Sequence, residues 1–126
     1  MRVRIYPWGD EPDPNRANYI ETGIGTTSAV GIFPGGETPY GCLDMSGNVW
    51  EWCCTKWLDN YEGYEERADH DPEGTSTRVL RGGGFDLIQG NVRCACRGGD
   101  CPDVRVRSGG FRVVAVGASG SPGSGF

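Results

Sequence analysis

The sequence predicts an α+β domain, dominated by short β-strands and rich in loops. Three observations point there. The 126 residues include 22 glycines and 8 prolines, well above average usage, so tight turns are frequent and long helices are not. The apolar residues fall in short bursts, some alternating with polar ones and some continuous, as strands do. No stretch carries the apolar spacing of an amphipathic helix.

The elements follow in chain order. Arg2 to Tyr6 alternates polar and apolar and reads as a short strand; Pro7-Trp8-Gly9-Asp10 then turns the chain. Residues 10–40 are punctuated by prolines and glycines. They are expected to be irregular backbone held by burial of Trp8, Tyr19, Ile24, Val30, Ile32 and Phe33. Val49, Trp50 and Trp52 suggest a strand with large rings on both faces, buried on both sides. Residues 59–77 are polar and acidic and read as a surface loop. Thr77 to Leu80 is a strand, and Gly82-Gly83-Gly84 marks close backbone approach or positive φ. Asn91 to Arg97 alternates as another strand, Gly98-Gly99-Asp100 is a turn, and Phe111 to Val116 is the last core strand. Residues 1–116 make one domain, and 117–126 a flexible Gly/Ser tail.

Charge is unevenly spread. The net charge is −5, yet residues 1–77 hold 5 Lys/Arg against 14 Asp/Glu, and residues 78–126 hold 7 Arg against 3 Asp. The acidic part repels nucleic acid or serves calcium; the arginine-rich part suits an anionic or aromatic partner. Alternatively the two halves neutralise each other across the fold. No nucleic-acid partner is expected. No apolar run approaches the ~20 residues of a membrane helix, and no signal peptide is visible, so no membrane partner is expected either.

Six cysteines stand at 42, 53, 54, 94, 96 and 101. Neighbours such as Cys53 and Cys54 do not easily bond each other, and no Cys-x2-Cys zinc knuckle is present. Two disulfides between the 53/54 pair and the 94/96/101 group remain open. The favoured reading is mostly free thiols in a reducing compartment, the cytoplasm rather than the cell surface. The single histidine, His70, leaves no histidine-based nucleophilic site.

Five words occur in a fixed order: Tyr6-Pro7-Trp8-Gly9, Asn15-Arg16-Ala17-Asn18, Gly47-Asn48-Val49-Trp50-Glu51-Trp52, Arg78-Val79-Leu80-Arg81-Gly82-Gly83-Gly84 and Gly110-Phe111-Arg112-Val113-Val114. Together they resemble the C-terminal half of the formylglycine-generating-enzyme (sulfatase-modifying factor) superfamily, from about Ile5 to Val114. The resemblance implies a C-type-lectin-like fold lacking most of the family's usual N-terminal half, and with it an oligomer. Fold does not fix function, because this fold hosts both oxidases and binding proteins.

The family's copper oxidases use two cysteines a few residues apart after the Gly-Gly-Ser word. Here Gly84 stands in place of the serine and no cysteine lies between 85 and 93. Cys94 and Cys96 come later, so no copper is expected. Calcium is the cofactor the resemblance implies, through Asn48 and Glu51 in the Gly-Asn-x-Trp-Glu-Trp turn, since hard cations want oxygen ligands. The other reading has these two residues capping backbone groups in a buried turn. A second family calcium site matches at Asn18 and Tyr19 but lacks its downstream aspartate.

Variable proteins of diversity-generating retroelements share this fold. Randomised adenines in their Asn-type codons cannot yield Lys, Glu, Gln, Met or Trp. From Gly84 to Gly110 the chain has no Lys, Glu, Met or Trp and one Gln, and the same gap runs on to the chain end. The resemblance maps a variable binding surface onto Asp86, Leu87, Ile88, Gly90, Asn91, Val92, Cys96, Gly98, Gly99, Asp100, Cys101, Val104, Val106, Arg107 and Ser108. Arg93, Arg97, Pro102-Asp103, Arg105 and Gly110-Phe111 are the constant words between. The alternative is an ordinary Gly/Arg-rich segment. The expectation is a non-catalytic domain on a rigid frame of Trp50, Trp52, Phe111, Val113 and the glycine turns. Its ligand is a protein or small molecule. A formylglycine-generating-type copper oxidase, or a degenerate fragment of one, is the rival reading.

Overall fold

The computed structural model describes residues 2–117. The expected tail lies, from residue 118 on, outside the described residues. One four-stranded sheet organises the chain. β1 is Trp50–Lys56, β2 Arg78–Arg81, β3 Arg97–Asp100 and β4 Gly109–Gly110, in the order β3-β2-β1-β4. β1 pairs antiparallel with β2, with an irregularity between Trp52 and Lys56, and parallel with β4. β2 pairs antiparallel with β3. A single helical turn, α1 (Tyr64–Arg67), interrupts the acidic loop, and three short 3-10 turns lie at Ile20–Thr22, Pro34–Gly36 and Gln89–Asn91.

β1 and β2 form close to where strands were expected, at the Trp50 and Trp52 word and at Thr77 to Leu80. Four other elements differ. Arg2 to Tyr6 makes no strand: Tyr6 only bridges to Gly9. Asn91–Arg97 is not a strand either, because the 3-10 turn ending at Asn91 and the turn after it consume the alternation. The strand instead begins at Arg97 and includes Gly98-Gly99-Asp100, expected to be a turn. The Trp57 ring accounts for one of these glycines: a Cβ at Gly99 would come within 2.6 Å of it, whereas one at Gly98 would make ordinary contact with Trp50. At the chain end, pairing stops after Gly110, and Phe111, Val113, Val114 and Val116 are all exposed rather than core.

The packed centre keeps Tyr19 and Trp8 of the residues expected to be buried, but not the isoleucines and valine of the 24–32 stretch. Tyr6, Ala17, Tyr19 and Val92 form the buried cluster, with Trp8 packed against it. Tyr6 and Trp8 stack at 5.3 Å. Trp50 and Trp52 are only half-buried, and Ile24, Val30 and Ile32 are exposed. Loops therefore close the core, and hydrogen bonds hold the loops. Asn48, at φ 68, is the hub. Its backbone N–H donates to the Asn18 carbonyl (2.7 Å), and its own carbonyl accepts from Phe85 (3.0 Å). Its side chain accepts from the Ser28 N–H and donates to the Ser28 carbonyl. Buried Arg78 does the same for the acidic loop, donating to the carbonyls of Cys54, Asp71, Pro72 and Glu73. Gly83, at φ 71, lets the 82–84 turn pass residues 91–92: a Cβ there would meet the Asn91 carbonyl at 2.6 Å.

Candidate functional site

The segment from Gly84 to Ser108 starts and finishes at one place. Gly84 packs against Ser108, whose carbonyl accepts the Trp50 N–H at the edge of β1. The Ile20 N–H donates to the Leu87 carbonyl (2.9 Å), which fastens the 20s turn beside this join. Around it, Asp86, Arg107, Ile20 and Phe85 line a small cleft of about 240 Å³. The Arg107 guanidinium lies over the Phe85 ring at 5.3 Å. Asp86, Ile88, Val106 and Arg107 are exposed here, while Leu87 is half-buried.

The rest of the expected surface divides. Cys101 is exposed and Val104 half-buried. Gly90 and Asn91 sit in the 3-10 turn, and a Cβ at Gly90 meets nothing within 4 Å. Gly98, Gly99 and Asp100 are on β3, the far edge of the sheet from β4, roughly 14 Å away at three strand spacings.

Three positions cannot be exchanged freely. Val92 is 1% exposed and belongs to the core cluster, so it is not a surface residue. Its carbonyl also accepts from the buried Ser46 hydroxyl at 2.7 Å. Ser108 is 8% exposed. Gly99 is exposed on one side, but a Cβ would come within 2.6 Å of the Trp57 ring. Local alternation could not reveal any of this, since the partners are Tyr19, Gly84 and Trp57, all distant in sequence.

The two residues expected for calcium are engaged otherwise. The Glu51 carboxylate takes two hydrogen bonds from Arg112, at 2.6 and 2.5 Å, and Arg112 also donates to the carbonyls of Leu43 and Asp44. The hydrogen bond to Glu51 raises the Arg112 pKa further. The Asn48 oxygen is filled by Ser28. As placed, the pair makes no oxygen cage and does not fit the ion; the backbone-tying reading describes Asn48, while Glu51 is spent on the Arg112 side chain. One oxygen nearby does lack a partner: Asn18 Oδ1 is buried and unbonded, while its amide donates to Thr26 and Ser28. A single oxygen is far short of the six to eight that calcium takes.

The six cysteines are free. Burial pushes the Cys53 and Cys94 thiols up, and the Arg81 guanidinium nearby offsets this only in part. Among the described residues no three His, Cys, Asp or Glu side chains gather as a metal site. No helix among them is long and apolar enough to cross a membrane.

Residues 2–116 match the model of the sulfatase-modifying factor enzyme 1-like domain. The chain belongs to this family. Among curated relatives it is 38% identical over 114 residues to the serine/threonine-protein kinase pkn1 of Chlamydia caviae, covering 86% of this chain and 17% of that protein. It is 33% identical over 138 residues to the inactive C-alpha-formylglycine-generating enzyme 2 of Bos taurus, covering 98% and 41%. Among solved structures it resembles PvdO from Pseudomonas aeruginosa (TM-score 0.68, 28% identity, covering 84% and 42%). It also resembles Treponema denticola variable protein 1 (TM-score 0.63, 30% identity, covering 77% and 34%). The family's C-type-lectin-like α+β fold is thus the fold of this chain. The chain spans well under half the length of each of these relatives. Family membership includes an inactive relative and a variable protein, and it fits a binding domain as well as an enzyme.

Proposed function

We propose that this domain binds a protein or small-molecule ligand without catalysis, through a variable surface of the kind diversity-generating retroelements produce. The observation that carries the reading is the join of Gly84 to Ser108 beside β1. The residue-restricted segment leaves and returns to one anchored point, displaying Asp86, Ile88, Val106 and Arg107 there. The likeness to Treponema denticola variable protein 1 supports it. The working surface leaves out Val92 and Ser108, which are buried, and Gly99, where a Cβ would strike the Trp57 ring, and keeps the other expected positions. Anchored loops lose little entropy on binding, which favours affinity from few contacts. Exposed apolar residues beside arginine suit an interface centre.

The genome supplies the direct test. A near-copy of the 84–111 coding region, with adenines at the differing positions and a reverse transcriptase alongside, is the expected finding. If no such copy exists in the source genome, the retroelement origin is wrong. Copper(I) titration with oxygen uptake on a cysteine peptide tests the catalytic rival: thiol-dependent binding with turnover would replace the binding reading by an oxidase.

A further inference from the structure

A second site lies on another part of the molecule. A cleft of about 500 Å³ opens between the N-terminal segment, residues 38–45 and the 81–82 and 93–94 turns. None of residues 86–91 or 101–108 lines it, although Arg93 reaches the Gly90 carbonyl of the surface proposed above. Four arginines, Arg2, Arg4, Arg81 and Arg93, reach its wall, and no carboxylate does. The protein as a whole carries −5, which makes so concentrated a positive charge the more unusual.

Of the four, only Arg2 is ion-paired among the described residues, with Asp10. Arg4 donates to the Pro7 carbonyl (3.2 Å), Arg81 to Cys94 (3.0 Å) and Arg93 to Gly90 (2.8 Å). Each bond fixes a guanidinium in position and uses only part of its donor fork. The rest of the lining combines the apolar Val3, Pro7, Pro39 and Met45 with Tyr6, Tyr40, Cys94, Gly82 and the polar Thr38. Val3 and Met45 are 90% and 41% exposed, so this apolar surface faces solvent.

We propose that this cleft binds a small amphipathic carboxylate, with its apolar body on Val3, Pro39 and Met45 and its anionic end on Arg4, Arg81 and Arg93. The volume is that of a pocket for a drug-sized ligand. Arginine forks match a carboxylate geometrically and bind it more strongly than a neutral acceptor. Guanidiniums already held by backbone carbonyls need little ordering when the ligand arrives.

Calorimetric titration with octanoate, at low ionic strength, tests this on the full chain. Octanoate should bind saturably, and acetate and 1-octanol each at least tenfold more weakly, since one lacks the body and the other the charge. Added salt should weaken octanoate binding. The double variant Arg4→Gln/Arg93→Gln should lose at least tenfold in octanoate affinity with an unchanged circular dichroism spectrum. Arg93→Lys alone, which keeps the charge but not the fork, should lie between. If the double variant does not fold, the octanoate, acetate and 1-octanol comparison on the unaltered chain decides the matter. Octanol binding as tightly as octanoate, no saturable octanoate binding, or a folded double variant that binds as before would each overturn the proposal.

Discussion

Val92 and Val106 lie in the same Gly/Arg-rich segment, and nothing in the local sequence separates them. One is 1% exposed in the Tyr6–Ala17–Tyr19 cluster; the other is 53% exposed beside Arg107. The difference teaches that this segment is two things at once. Its first part is stitched into the core by Val92 and by Ser46, and its last part, after β3, is tied back at Ser108 and by Arg107 over Phe85. A domain that displays a variable patch needs both: a buried hook to keep the segment in register and an exposed run that contributes nothing to the core.

The comparison breaks most sharply with one charge. Val92→Asp should unfold the domain, because a buried unpaired carboxylate on top of a lost core contact costs more than about 4 kcal/mol. Val106→Asp should shift stability by no more than about 0.5 kcal/mol. Urea denaturation followed by tryptophan fluorescence measures both, and equal losses would end the distinction.

A smaller effect separates the glycines. Gly99→Leu must displace the Trp57 ring and should cost about 1–3 kcal/mol, while Gly90→Leu meets open space and should be close to neutral. If thermal melts show both tolerated alike, Gly99 returns to the exchangeable set.

Calcium offers a third check, on the frame alone. With Glu51 held by Arg112 and Asn48 by Ser28, millimolar calcium should leave the melting temperature unmoved. A rise of several degrees, abolished by Glu51→Gln, would mean that the ion displaces Arg112.

The least effect concerns pH. The Lys56 hydrogen bond, helped by the Asp71 backbone, holds the Asp69 carboxyl below its ordinary value. A depressed folded value means the contribution is present above the unfolded value of about 3.9 and is lost as pH falls through the folded one. An NMR titration should show the Asp69 midpoint moving up in Lys56→Met. An unmoved midpoint would remove Lys56 as the cause.

Much of the frame was legible from residues alone. The rings of Trp50 and Trp52 and the pair Val79-Leu80 after Arg78 marked β1 and β2, because aromatic and β-branched side chains favour extended backbone. The Gly82-Gly83-Gly84 word marked a close approach, and Gly83 makes it to Asn91. Phe111–Val116 misled for a simple reason: composition gives strand propensity, but pairing needs a neighbour, and β4 ends at Gly110. The arginine excess after residue 78 hinted at an anionic partner, but the cleft itself had no sequence signal, since Arg4, Arg81 and Arg93 come to line it only through folding.

By itself, then, the order of the tryptophan and glycine words determined the family and the two central strands, because those residue types act through their own backbone and bulk. Only the tertiary structure decided which residues of 84–108 are exposed, where Glu51 spends its charge and where the arginines gather. Burial and ion pairing depend on partners far along the chain, and a local pattern carries no record of who those partners are.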